Sequence, residues 1–544
     1  MAKYDYVVVG GGSAGCVTAN RLVTEHGARV LLLEAGGGHR RFLVDVPAGS
    51  FKMMFGPGDY LKRYVSVPQA ALDGRTVEIA QGNLIGGGSS VNALTYMRGI
   101  RADFDAWDAH VGGVGWGWDD LLPYFVRQEG NGRLVGAAHG ADGPLAIQDH
   151  RFVCGTAHRF IDAMQALGVP LTDDFNAGDE RGVGLTQITA SGGKRCSAAN
   201  AFLDPLRGNE RLTVVSGARV ERILFDGMTA VGVAFVKDGK NNRVFCEREV
   251  ILTAGAFSTP KLLMLSGIGP GDQLKSHGIE VRLDLPGVGQ NMQDHNMVPL
   301  CAYAHPGFGY FGQDKGLRAA FNTLRYLLFK QGPLATNGSE ALAFVNLDDP
   351  ALDPTVQIYC MGTMFLPPGV GEPGHGLMLC ASIVRPKSLG WMRLRSANPQ
   401  DDPEISPNYF TDPDDLKLMV RAVRYLRDIL ATEPLSAIVR REILPGGDVE
   451  TDEAIAGYCR QATFTNYHPV GSCRMGPESD AMAVVDPLLR VRGATGLRVF
   501  DASIMPRIPS ANTNAPVMAL ADRGVDLMTG RASLRPPTTS PRHS

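Results

Sequence analysis

The stretch Tyr6-Val7-Val8-Val9-Gly10-Gly11-Gly12-Ser13-Ala14-Gly15, with Glu34 19 positions past Gly15, decides the reading of the fold. The valine run suits a strand buried on both faces. Ser13 to His26 carry helical spacing and stop at Gly27, a C-cap signal. Arg29 to Leu33 form a second strand that ends at Glu34. The pattern G-x-G-x-x-G, at Gly10, Gly12 and Gly15, therefore sits between a strand and a helix, the context a dinucleotide fingerprint requires. Gly10 permits the tight turn, Gly12 lets backbone approach a pyrophosphate, and Gly15 lets the helix pack on the strand. Ser13 and Ala14 open the helix and offer free N–H groups and a positive dipole end to phosphate. Glu34, with Ala35 beside it, accepts from ribose hydroxyls, and its charge disfavours a 2′-phosphate. FAD and NAD share this fingerprint, so it does not choose between them.

Outward from this βαβ unit, 544 residues predict two or three modules. A net charge of −3 and no basic tract interleaved with aromatics exclude a nucleic-acid partner. Nine scattered cysteines without CxxC pairs point away from disulfide or zinc frameworks and toward a reducing compartment. The N-terminus runs straight into a strand, and no apolar run reaches the length of a membrane helix. The expectation is a cytoplasmic protein with no membrane span. No metal-ligand spacing occurs among His, Asp and Glu.

Along the chain, residues 40–80 read as an extended excursion over the site. Leu212–Val215 and Glu249–Thr253 read as strands, Leu416–Leu430 as an amphipathic helix and Trp391–Leu394 as a strand. Two further glycine-rich segments stand out. Gly82-Asn83-Leu84-Ile85-Gly86-Gly87-Gly88-Ser89-Ser90-Val91-Asn92 reads as a loop that hugs a flat or phosphorylated group. Gly255 to Gly269 follows an apolar strand; its reading is a helix capped by Ser258 or Thr259, with Pro260 in the first turn. Arg98, Arg101, Asp103, Asp105 and Asp108 read as a solvated charge pattern. Trp107, Trp116 and Trp118 read as a packed surface turn, and Cys473 as packing.

These two segments resemble the two signature motifs of the glucose-methanol-choline (GMC) oxidoreductases. Tyr467-His468-Pro469-Val470-Gly471-Ser472-Cys473-Arg474-Met475-Gly476, Asp501-Ala502-Ser503-Ile504-Met505-Pro506 and Asn512-Thr513-Asn514-Ala515-Pro516 extend the likeness. The wording is similar to the bacterial choline- and sorbose-dehydrogenase-like branch. The resemblance implies an α/β, Rossmann-like FAD-binding domain plus an α+β substrate-binding domain with a large antiparallel sheet. Its expected parts are FAD-binding segments 1–155, 205–300 and 456–532, a substrate-domain excursion 156–204, a substrate-binding domain 301–455, and a disordered tail 533–544.

The likeness also implies site residues. Gly86, Gly87, Ser90, Asn92, Ala93 and Leu94 are expected against flavin and pyrophosphate, Val220 against adenine, and Asp501 and Ala502 on the ribityl side. Val91 stands where some relatives carry a flavin-linked histidine, so the FAD is expected to be non-covalent. Alcohol oxidation needs a base at the hydroxyl and transfer of the α-hydrogen as hydride to flavin N5. On chemistry alone His468 is one of twelve histidines. The resemblance makes it the base that accepts the hydroxyl proton, with Asn514 hydrogen-bonding the same oxygen. Pro516 is expected to open a helix whose N-terminus faces the charge the flavin gains on reduction. The implied substrate is a small primary alcohol, and oxygen or another electron acceptor completes the cycle. A hydroxynitrile lyase with non-redox FAD is the alternative that shares this fold.

Overall fold

Parallel pairing dictates the first layer. In the computed structural model, which describes residues 3–367 and 369–531, Tyr4–Val9 lies between Val30–Leu33 and the end of Lys240–Leu252. Leu212–Val215 and Leu497–Val499 extend this parallel run on either side. The first half of Lys240–Leu252 instead pairs antiparallel with Thr229–Lys237, which pairs with Ala218–Asp226. Val7, Val8, Val30 and Leu32 are wholly buried, as strands covered on both faces require. The expected tail at 533–544 lies outside the described residues.

The second layer is a seven-stranded antiparallel sheet. Its path runs Val439–Leu444, Asn296–Ala304, Gly376–Ile383, Val356–Met361, Ala341–Val345, Gly182–Leu185, with Phe464–Thr465 paired to Asn296–Ala304. Alternation along Asn296–Ala304 sorts the two faces. Val298, Leu300 and Ala302 pack in the main core with Met419, Val423 and Leu426 of the helix Pro413–Ala431. Met297 and Cys301 point the other way, into a cluster with Tyr359 and Met378. Burying each helix residue contributes roughly 1.5–3 kcal/mol, and Leu426→Ala would cost about 2–5 kcal/mol. The sheet crosses the boundaries read from sequence. The division expected at 300/301 cuts the strand Asn296–Ala304, 155/156 falls in the helix Gly155–Ala166, and 455/456 in Asp452–Ala462.

Several local expectations need correction. The second motif's helix begins at Gly255 after Ala254, so neither Ser258 nor Thr259 caps it and Pro260 lies inside. Proline has no N–H to give the carbonyl four residues back. That carbonyl, on Ala256, accepts from the Ser472 hydroxyl at 2.5 Å instead. Asn514–Thr529 begins at Asn514, making Pro516 its third residue and not its first. Arg98 and Asp103 are not solvated. Arg98 is 0% exposed and ion-paired with buried Glu129, and Asp103 accepts from the Ser510 backbone N–H at 2.8 Å. Trp107, Trp116 and Trp118 are core residues, and the indole N–H groups of Trp107 and Trp116 donate to the Arg507 and Pro487 carbonyls, which makes burying those large rings favourable.

Candidate active site

The two layers enclose one deep cleft of about 1930 Å³. A single small-molecule pocket spans roughly 300–1,000 Å³, so there is room for a dinucleotide and a substrate together. One end is built by the fingerprint. Gly10 has φ +107°, and a Cβ there would meet the Thr253 carbonyl oxygen at 2.5 Å. A Cβ on Gly15 would lie 2.0 Å from the Gly10 oxygen, so this glycine packs helix against strand and does not line the cleft. Gly12 differs: its nearest would-be neighbour is 3.9 Å away, and it faces the cleft. The helix Ser13–Thr24 has no side-chain cap and no acidic residue in its first turn. Its free N–H groups and open glycine suit a diphosphate.

Glu34 closes that end. Its carboxylate accepts from the N–H groups of Gly11 and Gly36, both at 2.7 Å, and burial pushes its pKa up. Ala35 and Val220 line the same end. From the second loop Gly87, Asn92, Ala93 and Leu94 line the cleft, whereas Gly86 and Ser90 do not. Gly86 is held by its N–H to the Gly11 carbonyl at 2.6 Å, and buried Ser90 donates to the Ile85 carbonyl at 2.9 Å. Gly86 thus ties the two loops together, and Ser90 holds the second loop's own turn. Asp501 and Ala502 line the cleft as well. Asp501 accepts from the Gly255 N–H at 2.9 Å and the Ser503 N–H at 2.9 Å, and burial raises its pKa. The residues present fit FAD from diphosphate to ring.

At the other end the cleft reaches His468, the one histidine among its described lining residues. Tyr467 before it has φ +62°, a strained value for a bulky residue. Hydrogen bonds hold it there: the Tyr467 N–H donates to Thr465 Oγ1 at 2.7 Å, and the His468 N–H donates to Asp294 at 2.8 Å. Tyr409 and Thr465 also donate to Asp294, which burial pushes up to about 6.

The imidazole is oriented by a second one that the sequence reading missed. His295 Nε2 donates to the Val384 carbonyl at 2.9 Å, and His295 Nδ1 is 3.0 Å from His468 Nδ1. A carbonyl only accepts, so Nε2 of His295 carries its proton and neutral His295 has a lone pair at Nδ1. His468 must then donate from Nδ1, which leaves its Nε2 as an acceptor. Asn512 Nδ2 fills that direction at 3.2 Å. Burial lowers the His295 pKa to about 4, and burial followed by the nearby His295 carries His468 well below the ordinary range.

Asn514, expected to hydrogen-bond the substrate oxygen, is not the asparagine bonded to His468. Its Oδ1 accepts from Ser13 Oγ at 2.7 Å, tying the last helix to the fingerprint helix, while its side chain lines the cleft. Residue 512 lies two positions before it, outside the helix, and points to the histidine. Cys473 is wholly buried and its thiol is raised far above the usual range by burial.

Comparison with known proteins agrees with this architecture. Residues 4–297 match the N-terminal and 386–521 the C-terminal GMC oxidoreductase family model. The chain is 38% identical to human mitochondrial choline dehydrogenase over 98% of its length and 91% of that protein's. It is 37% identical to the alcohol dehydrogenase [acceptor] of Pseudomonas putida, covering 98% of this chain and 96% of that one. The structure of pyridoxine 4-oxidase from Mesorbium loti superposes with a TM-score of 0.87 at 32% identity, covering 97% of this chain and all of that one. The chain belongs to the GMC oxidoreductase family, and its chemistry is FAD-dependent oxidation of a CH–OH group. These relatives are oxidoreductases, which leaves the lyase alternative without support.

Proposed function

We propose that this chain oxidises an uncharged, apolar primary alcohol to the aldehyde, with His468 Nε2 taking the hydroxyl proton and Asn512 donating to the same oxygen. The observation that carries this reading is the hydrogen-bond chain Val384–His295–His468. It fixes an unprotonated Nε2 toward the cleft, and a base must present a lone pair before it can accept a proton. Alkoxide character then favours loss of the α-hydrogen, and Asn512 stabilises the developing charge on oxygen. Bound FAD supplies the acceptor for that hydride. Gly12, Ser13, Ala14, Glu34, Gly87, Asn92 and Asp501 would hold it, and apolar Val91, which also lines the cleft, gives no covalent attachment.

The antiparallel sheet supports this substrate class. Its contribution to the cleft is Met297, Pro299, Tyr359, Met361, Met378, Leu444 and Phe464, with no carboxylate. A quaternary ammonium group is held by a carboxylate or by an aromatic cage, and on these strands Tyr359 and Phe464 are the rings that line the cleft. Methionines instead give a soft, adaptable apolar wall. An anaerobic visible spectrum taken with a panel of alcohols tests this. Benzylic or medium-chain alcohols should bleach the flavin and choline should not; bleaching by choline alone overturns the substrate class. The nine cysteines are all free thiols, eight of them buried, which supports a reducing compartment such as the cytoplasm.

A further inference from the structure

The helix Gly316–Phe329 carries its apolar face outward. Leu317, Phe321, Leu324 and Leu328 recur at intervals of four, three and four, which stacks them on one side. Leu317 is 90% exposed, Phe321 64% and Leu328 63%. The opposite side is the packed one: Asn322 and Tyr326 are buried, and Tyr326 sits in a cluster with Val46 and Ala335. A surface helix of a globular protein normally has the reverse polarity. Fourteen residues are too few to cross a bilayer, and among the described residues no helix is long and apolar enough to do so.

Charge identifies the occupant of this face. Between Asp314 and Glu340 the chain carries Lys315, Arg318, Arg325 and Lys330 and no acidic residue. Arg318 and Arg325 follow Leu317 and Leu324 by one position and so flank the apolar stripe on the same edge. A second copy meeting this face across a twofold axis would set these cations near their own images, which costs affinity. Anionic lipid headgroups complement them, and acyl chains complement the leucines.

The position on the molecule matters equally. The helix packs on the segment 46–48, and Lys52 approaches Asp314 at 3.9 Å. From that neighbouring helix, Gly49–Phe55, the rings of Phe51 and Phe55 stack on Phe365 at 5.6 and 4.8 Å. All three line the cleft, and Phe55 is largely exposed, so these rings form its mouth beside the apolar helix.

We infer that Gly316–Phe329 is an interfacial anchor that seats the protein on an anionic lipid surface with the mouth of the cleft beside it. The test is sedimentation of the FAD-loaded full chain with vesicles of phosphatidylcholine and phosphatidylglycerol in equal parts, or of phosphatidylcholine alone. The protein should pellet with the anionic vesicles. The variant L317S/F321S/L324S/L328S should partition at least about tenfold more weakly while flavin absorbance and alcohol turnover stay unchanged. R318Q/R325Q should reduce binding to the level seen with phosphatidylcholine alone. Wild-type protein that stays in the supernatant with both vesicles overturns the inference. So does a solution dimer that the quadruple variant converts to monomer, because the face would then be a contact between copies of this chain.

Discussion

Two histidines of this protein, His139 buried and His468 half-buried in the cleft wall, are driven in opposite directions, and the contrast shows what decides the charge of an enclosed imidazole. His139 lies among Glu129, at 3.0 Å from its Nδ1, and Asp174, at 3.0 Å from its Nε2. Burial would lower its pKa, but the hydrogen bonds to the two carboxylates win and raise it to about 9. His468 has another imidazole and an amide as its partners, so burial acts unopposed and holds it neutral. Burial alone therefore predicts neither state. The neighbours do, and the two settings suit two tasks: a cation that completes the Arg98–Glu129 cluster, and a lone pair kept ready in the cleft.

Breaking the catalytic member should have the largest effect. His468→Ala should lower kcat by about 10²–10⁴ with FAD content retained, and a variant within a few-fold of wild type would falsify the assignment of the base. Next comes the structural member. Glu129→Gln leaves Arg98 buried without its partner charge, which should cost roughly 3–5 kcal/mol in chemical denaturation while kcat of the folded fraction holds. His295→Leu removes the group that fixes the His468 tautomer; kcat should drop about 10–100-fold, the range for partners that orient an active imidazole. An unchanged kcat and pH profile would show that His295 only packs.

The smallest effects lie in pH. His139 has a folded pKa of about 9 against an ordinary 6.5, so its contribution to stability is complete below pH 6.5 and is lost as pH rises toward 9. His139→Gln should flatten the fall in Tm across that interval. His295 is the converse: depressed to about 4, it contributes stability above pH 6.5 that disappears as pH falls through 4. Because His468 is also depressed, the acid limb of kcat/KM should lie below pH 6.5, and a limb at or above that value contradicts the neutral-histidine reading.

The cofactor end was far more legible in sequence than the catalytic end. Gly10, Gly12, Ser13, Ala14 and Glu34 lie within one βαβ unit, so local spacing and backbone sterics place them together. Gly15, Gly86 and Ser90 belong to the same motifs yet support the cleft from beneath, a distinction that needs the packing of two loops from separate segments. At the catalytic end, His295 and His468 are 173 positions apart, and His468 and Asn512 are 44 apart. No periodicity links them. Asn514, two residues from Asn512, carries the same side chain, and only the start of the last helix at Asn514 separates their directions. The exposed face of Gly316–Phe329 has a pattern any amphipathic helix shows, and sequence does not say which side is packed.

The sequence by itself determined the family, the dinucleotide fingerprint and the candidate histidine, because short-range turns and strand–helix junctions are encoded by neighbouring residues. Tertiary structure alone decided which asparagine meets that histidine, which imidazole holds its tautomer, which arginine is buried and which helix face is bare. Each of these depends on long-range packing, where segments far apart in the chain compete for the same space and the same hydrogen bonds.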